Sequence, residues 1–180
     1  LQTVLTRYFA ELKAQENKEG VQVLFRAFLK RILLLNGFFS VIIFILAPRF
    51  VDFLQIISKT FVYMSIVAMI SSSFLVLTLS TMQGIHLFER IAANSIFLGF
   101  SKLITGVFFV FAGLQSLGGF LAFVVANIFA SIFSLFQLPS WIFKISKKLY
   151  AQYKPQIRLK EIYGYFLPVS IALIANTLFI

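Results

Sequence analysis

The sequence contains no cysteine, one histidine and only six acidic residues in 180 positions. The absence of cysteine excludes disulfide bonds and thiolate metal sites. One histidine and few carboxylates leave little from which to build a catalytic centre, and no glycine-rich phosphate loop followed by lysine is present. We therefore predict a protein that is not an enzyme and that holds no metal ion or cofactor.

Charged residues are also scarce, at 12% of the chain, whereas hydrophobic residues make up 60% and phenylalanine alone occupies 24 positions. Soluble domains carry about twice that share of charge, and the mean hydropathy of this chain is +0.95. The formal charge of +10 does not indicate nucleic acid, because the cations are grouped between apolar segments as in membrane proteins. Membrane lipids are the predicted partner.

The longest uncharged run separates Lys102 from Lys144 and contains 41 residues. A single helix of that length would be roughly 60 Å long, about twice the hydrocarbon thickness of a bilayer, so the run must reverse. The segment 113–119 (GLQSLGG) supplies glycines and polar residues for a tight turn. Small residues on both sides of this turn predict close helix packing. They are Gly99, Gly106 and Gly113 before it and Gly118, Ala122, Ala126, Ala130 and Ser134 after it.

The apolar segments predict four complete membrane spans, at about 32–47, 61–81, 91–113 and 118–138. Pro48 and Pro139 are predicted to end the first and fourth spans, since proline lacks the N–H that continues a helix. A basic interfacial linker follows at 139–163, and 164–180 opens another span. The predicted fold class is all-α, a polytopic transmembrane helix bundle. Because the chain starts without methionine and stops within an apolar run, we expect the remaining polypeptide to supply further spans.

The distribution of lysine and arginine predicts the orientation of these spans. If the four spans alternate in direction, thirteen such residues fall on one side and only Arg49 and Lys59 on the other. Cytoplasmic connections carry the excess of lysine and arginine in membrane proteins. We therefore predict a multi-pass protein of the cytoplasmic membrane, with the opening segment and the 139–163 linker in the cytoplasm.

One cation, Lys102, lies near the middle of the third predicted span. Asn94, Ser101 and Thr105 share an arc of about 100° with it, so the charge belongs to a polar stripe. A charge at this depth normally faces a cavity or a partner. One interpretation is a water-filled lumen that binds an anion, and the other is a lysine that pairs with a carboxylate in a helix missing from this sequence or reaches the interface. Arg49, at the predicted outer mouth, is interpreted first as an interfacial anchor; contact with a phosphate is the alternative, which makes it a further site candidate.

Several short segments carry a resemblance to a known family. Residues 77–90 (LTLSTMQGIHLFER), with the 113–119 turn after them, resemble the polysaccharide transporters, which are the lipid-linked oligosaccharide flippases of the multidrug/oligosaccharidyl-lipid/polysaccharide exporter superfamily. Residues 2–12 (QTVLTRYFAEL) are similar to the end of that family's second helix, and 165–171 (YFLPVSI) to the start of its seventh.

The resemblance implies two pseudo-symmetric lobes around a central lumen, with residues 1–138 forming most of the first lobe and 164–180 starting the second. It implies transport of an undecaprenyl-pyrophosphate-linked glycan, or a teichoic-acid-like relative, from the inner to the outer leaflet by alternating access. Lys102 would then attract the pyrophosphate or anionic sugars.

Two other functions stay open at this point. A cation-coupled multidrug exporter of the same superfamily is disfavoured because none of the six acids falls inside a complete span, where proton-coupled transport usually has a buried carboxylate. A membrane scaffold for a glycan-assembly complex would need no lumen, and the polar stripe argues against it.

Overall fold

The computed structural model describes residues 2–54 and 59–144. Within these ranges the chain forms five α-helices and a short 3₁₀ helix, and no β-strand. They are α1 (Gln2–Ala14), α2 (Lys18–Leu54), α3 (Lys59–Gly84), α4 (Phe88–Phe111), α5 (Gln115–Gln137) and η1 (Ser140–Ile142). The linker beyond residue 144 and the predicted span at 164–180 lie outside the described residues.

Four of the helices are long and apolar enough to cross a membrane, over Lys18–Arg49, Thr60–Gly84, Phe88–Phe111 and Ser116–Gln137. Their lengths of 22 to 32 residues reach or exceed the roughly 20 residues that a bilayer requires. Large side chains such as Phe38, Ile45, Phe100 and Phe108 point away from the bundle and are more than half exposed, as expected for a surface in contact with lipid. The predicted all-α membrane bundle is confirmed.

Helix α2 differs from the first predicted span, because the prediction that Pro48 ends it is wrong: the helix continues through Pro48 to Leu54. Proline removes only one hydrogen bond of the helix, and a long helix can continue past that loss. The helix has 37 residues and is therefore about 55 Å long. Its amino-terminal part extends well beyond a hydrocarbon core of about 30 Å.

Three of the helices end with the same hydrogen-bonding pattern. At the end of α4, the Gly113 N–H donates to the Val110 carbonyl at 3.0 Å and the Leu114 N–H to Phe109 at 3.2 Å. This pair of bonds is the Schellman motif, which requires a left-handed residue after the helix. Gly113 supplies it with φ +81. The predicted reversal is present but shorter than 113–119, because α5 already begins at Gln115. Glu16 and His86 take the same position after α1 and α3, with φ +54 and +64.

The best-buried part of the bundle lies where α1 packs against α2 and the end of α3. Leu5 and Phe9 of α1 are fully buried there, together with Leu24 of α2 and Met82 of α3. Gly84 permits the close approach, because a Cβ at this position would lie 2.3 Å from the Phe9 Cβ. The absence of a side chain at Gly84 therefore sets the position of α1.

Helix α5 is the central helix of the membrane bundle, since it packs against both α3 and α4. Its predicted ridge of small residues is buried, with Ala126, Ala130 and Ser134 fully enclosed. The glycines of α4 contribute less than predicted: a Cβ added at Gly106 would lie 3.8 Å from the Ala122 Cβ, an ordinary contact, and one added at Gly99 would meet nothing within 4 Å. The seven-residue spacing in α4 is thus not a packing ridge along its length.

The turns of the bundle separate the charges. Contacts from Thr6 to Gln83, from Gln22 to Trp141 and from Arg90 to Gln137 bring α1, the start of α2, the α3–α4 turn and η1 to one end. The α4–α5 turn lies at the other end, where Phe61 contacts Phe120. Eight lysines and arginines of the described chain belong to the first end and two to the other. We call the first the basic end.

Candidate functional site

The candidate site is centred on Lys102, in the middle of α4. Counted along the helix, its Cα is about 21 Å from Phe88 and about 14 Å from Phe111. An α4 that crosses the membrane therefore holds Lys102 within the hydrocarbon region, several turns from either end. The flanking Leu103 and Ile104 are both more than 60% exposed, so Lys102 lies at the boundary between the lipid-type surface of α4 and its interface with α5.

The ammonium of Lys102 lies over an aromatic ring and not beside a carboxylate. Its Nζ is 5.0 Å from the centroid of the Phe123 ring on α5, within the distance of a cation–π interaction. Such a contact contributes about 0.5–2 kcal/mol. That is less than the cost of several kcal/mol for a charge in the hydrocarbon. The contact with Phe123 alone therefore leaves the charge undercompensated.

The acids of the described chain are all remote from this position. Glu11, Glu16 and Glu19 belong to α1, α2 and the turn between them, and Glu89 lies in the first turn of α4. Glu89 precedes Lys102 by 13 residues, or about 20 Å along the helix. Asp52 is on α2, which makes no contact with α4. No glutamate of the described chain therefore pairs with Lys102. Pairing with a carboxylate of a further helix, one of the two interpretations of the sequence, stays a prediction.

Asn94 and Thr105 of the predicted polar stripe face α5. Asn94 is fully buried and its Nδ2 donates to the Ala130 carbonyl at 3.4 Å. The Thr105 hydroxyl lies 2.6 Å from the Ser101 carbonyl and 3.3 Å from the Ala122 carbonyl. These side chains join α4 to α5, which is how polar residues commonly act between membrane helices. Their hydrogen-bonding groups are used in helix pairing. The role of Asn94 and Thr105 as substrate ligands stays a prediction.

Arg49 is not brought to the same place. It is exposed on α2, one residue after Pro48, and α2 packs against α1, α3 and η1 but not against α4 within the described residues. Its role at an outer mouth stays a prediction that is separate from Lys102. The structure thus assembles Lys102, Ser101, Thr105 and Asn94 on one helix face and leaves Arg49 apart.

A second polar network, which sequence reasoning missed, joins α3 to α5. The hydroxyls of Thr78 and Ser134 are 2.7 Å apart and buried, and the Ser131 hydroxyl donates to the Ser71 carbonyl at 2.8 Å. Ser134 is predicted from the sequence only as a small packing residue. Serine and threonine at helical spacing on two apolar spans are a signal for such pairing, but the register of α3 against α5 cannot be deduced from it.

Asn36 extends the polar contacts to α2. Its Oδ1 accepts a hydrogen bond from the Ser73 hydroxyl at 3.3 Å, while its Nδ2 has no partner. Within the described chain the hydroxyl of Ser40, one turn further along α2, is likewise buried without a partner. Helix α2 thus carries two of the buried polar groups without a partner in the described chain, and Gln137 Oε1 at the end of α5 is a third.

Comparison with family models, with curated proteins and with solved structures returned no match to this chain. The class of the protein therefore follows from its own features. Four apolar helices long enough to span a bilayer, joined by buried hydroxyl and amide contacts, define a multi-pass α-helical membrane protein. A finer identity is a matter of proposal.

Proposed function

We propose that this chain is part of a transporter that moves a lipid-linked oligosaccharide, of the undecaprenyl-pyrophosphate type, across the cytoplasmic membrane for cell-surface polysaccharide synthesis. The observation that carries the proposal is the ammonium of Lys102 at mid-membrane, with an aromatic ring and no carboxylate beside it in the described chain. An anion that binds at this position during transport would provide the compensating negative charge that the described chain lacks near Lys102.

A pyrophosphate group suits this position for physical reasons. Hydrogen bonds between lysine and a phosphate oxygen are charge-assisted and gain strength where water is scarce. A net contribution of about 1.5–3 kcal/mol corresponds to roughly 10-fold to 150-fold in affinity. Phe123 compensates the charge of Lys102 only partly, so the site favours an anionic ligand. The same contact keeps the ligand-free state accessible, which alternating access requires.

The proposed orientation follows from the charges of the bundle. We place the basic end in the cytoplasm, since lysine and arginine are enriched on that side of membrane proteins. An anionic headgroup approaching from the inner leaflet then meets a positive surface before it reaches Lys102. The spans that would complete the lumen belong, in this proposal, to the remainder of the same polypeptide.

A second candidate is a membrane scaffold without transport activity. The contacts of Asn94 and Thr105 with α5 favour it, because they close the α4–α5 interface without leaving a channel between these two helices. It leaves the charge of Lys102 unexplained, and we therefore rank it second. A cation-coupled exporter is disfavoured because, within the described residues, no acid lies in the middle of a span.

The test is transport of a fluorescent lipid-linked oligosaccharide in proteoliposomes, with the Lys102→Met, Lys102→Arg and Lys30→Met variants. Lys102→Met is expected to lower the initial rate about tenfold or more, because one charge-assisted hydrogen bond is lost. Lys102→Arg keeps the charge and should keep most of the rate. Lys30 is an exposed cation of α2 outside the middle of the span, so Lys30→Met serves as the matched control. Transport by Lys102→Met at the rate of the unmodified protein would refute the proposal.

A further inference from the structure

A groove at the basic end carries an inference that is independent of transport. It encloses about 790 Å³, within the range of about 300–1,000 Å³ that small-molecule sites occupy. It runs along the turn between α1 and α2, and Trp141 of η1 is one of its lining residues. Its other lining residues are Lys13, Gln15, Glu16, Asn17, Lys18, Glu19 and Val21.

The charges in this groove balance. Lys13 and Lys18 bring two positive charges and Glu16 and Glu19 bring two negative ones. Within the described chain none of the four is joined to another charged residue by an ion pair. Two cations and two anions that line one groove without neutralising each other are complementary to a ligand that carries both signs.

The indole adds a specific preference. Trp141 is the sole tryptophan of the chain, and its backbone is fixed by a hydrogen bond of 2.6 Å from the Gln22 Nε2 to the Trp141 carbonyl. The face of an indole attracts organic ammonium groups more strongly than other aromatic rings do. Glu16 and Glu19 add carboxylates to the same groove, so that it offers both a ring face and negative charge to an ammonium.

The depth of the groove indicates where such a ligand comes from. Trp141 follows the last residue of α5, Gln137, by four positions. It therefore closely follows the end of an apolar span, and we place it in the headgroup layer, which is roughly 5–7 Å thick on each side of a bilayer. Tryptophan is enriched at that level. A zwitterionic lipid headgroup is therefore the ligand that can reach the groove.

We propose that the groove binds the zwitterionic headgroup of a phospholipid, a phosphate joined to an ammonium. The phosphate lies between the ammonium groups of Lys13 and Lys18, and the headgroup ammonium lies between the carboxylates and the indole of Trp141. An anionic headgroup without an ammonium satisfies the lysines but leaves Glu16 and Glu19 facing a negative charge, so the groove discriminates against it.

Trp141 makes the test direct, because it is the sole tryptophan of the chain and lines the groove. The protein is purified in an uncharged detergent and titrated with glycerophosphoethanolamine, glycerol 3-phosphate and ethanolamine. We expect a saturable change in emission with glycerophosphoethanolamine. Its apparent affinity should be about tenfold or more above that of either half, since each half loses one charge-assisted contact. Equal responses to glycerol 3-phosphate and glycerophosphoethanolamine would overturn the proposal.

A second arm places the protein in nanodiscs with brominated acyl chains on either phosphatidylethanolamine or phosphatidylglycerol in an otherwise constant mixture. Stronger quenching of Trp141 by the brominated zwitterionic lipid supports a lipid headgroup as the ligand. Equal quenching by the two lipids contradicts it, and a response confined to soluble glycerophosphoethanolamine overturns the lipid source. The double variants Lys13→Ala/Lys18→Ala and Glu16→Gln/Glu19→Gln should each remove the preference.

Lys30→Ala/Glu89→Gln is the matched control for these double variants, since it removes one charge of each sign outside the groove. It should keep the preference for the zwitterionic lipid. Melting of each variant in detergent is measured alongside, and the comparison of ligands on the unmodified protein decides the proposal if a variant fails to fold. Preserved preference in both double variants would contradict the assigned contacts.

Discussion

Replacing Gly84 by alanine tests the packing of α1 on α3. An added Cβ would lie 2.3 Å from the Phe9 Cβ and 2.9 Å from the Thr6 carbonyl oxygen, whereas carbon atoms in contact are normally about 3.5–4.0 Å apart. Helix α1 would have to withdraw by more than about 1 Å, which opens the buried contacts of Phe9. We expect Gly84→Ala to lower the free energy of unfolding by about 1–3 kcal/mol, the usual cost of overpacking.

The matched control is Gly99→Ala. Gly99 lies within α4 and has no atom within 4 Å of the position of an added Cβ. The same substitution there should leave stability unchanged or raise it by up to about 1 kcal/mol, because alanine favours a helix over glycine. Unfolding by sodium dodecyl sulfate in mixed micelles, followed by Trp141 fluorescence, compares the two. If Gly84→Ala is as stable as Gly99→Ala, the close approach of α1 to α3 is refuted.

Three further predictions concern the interior, the helix ends and the orientation. Thr78→Val removes the hydrogen bond to Ser134 and should lower the free energy of unfolding by about 0.6–1.7 kcal/mol in the same assay; no loss would contradict the α3–α5 register. His86→Gly should raise the free energy of unfolding by about 1 kcal/mol, because glycine adopts a left-handed conformation without strain. A decrease in the free energy of unfolding would show that the His86 side chain stabilises the turn. Cysteines introduced singly at Ser116 and Ser140, in a chain that has none of its own, should react with an impermeant maleimide from opposite sides of the membrane, and labelling from the same side would refute the proposed topology.

The hairpin of α4 and α5 could be predicted from the sequence because its signals are local. The uncharged run is too long for one span, and its cluster of glycines indicates that the chain reverses near Gly113. The small residues of α5 indicate which of its faces is buried. The same reasoning failed at Pro48. Proline often ends a helix, but it removes only one hydrogen bond, and the sequence around Pro48 does not show whether the helix stops or continues.

The left-handed residues at Glu16 and His86 could not be predicted from the sequence. The end of a helix is usually marked by glycine at this position, and a charged or aromatic residue gives no such signal. Their conformation depends on how α1 and α3 pack against the elements that follow them. It is therefore a consequence of tertiary structure.

The polar stripe of α4 could be recognised from spacing, but its partners could not. Helical periodicity places Asn94, Thr105 and Lys102 on one face, whereas the choice between a lumen and a neighbouring helix depends on where α5 packs. The structure divides the stripe: Asn94 and Thr105 bond to backbone carbonyls of α5, and Lys102 contacts an aromatic ring. This division leaves Lys102 as the member of the stripe on which the proposed function depends.

The most direct test of the proposed function is the access of water to position 102. Because thiolate formation requires water, a cysteine in a hydrated lumen reacts with charged methanethiosulfonate reagents, and one in lipid does not. The account predicts that Lys102→Cys reacts about tenfold or more faster than Ile104→Cys, a neighbouring position on the apolar face, and that its modification blocks transport. Equal inertness of the two cysteines would contradict a transport path at Lys102.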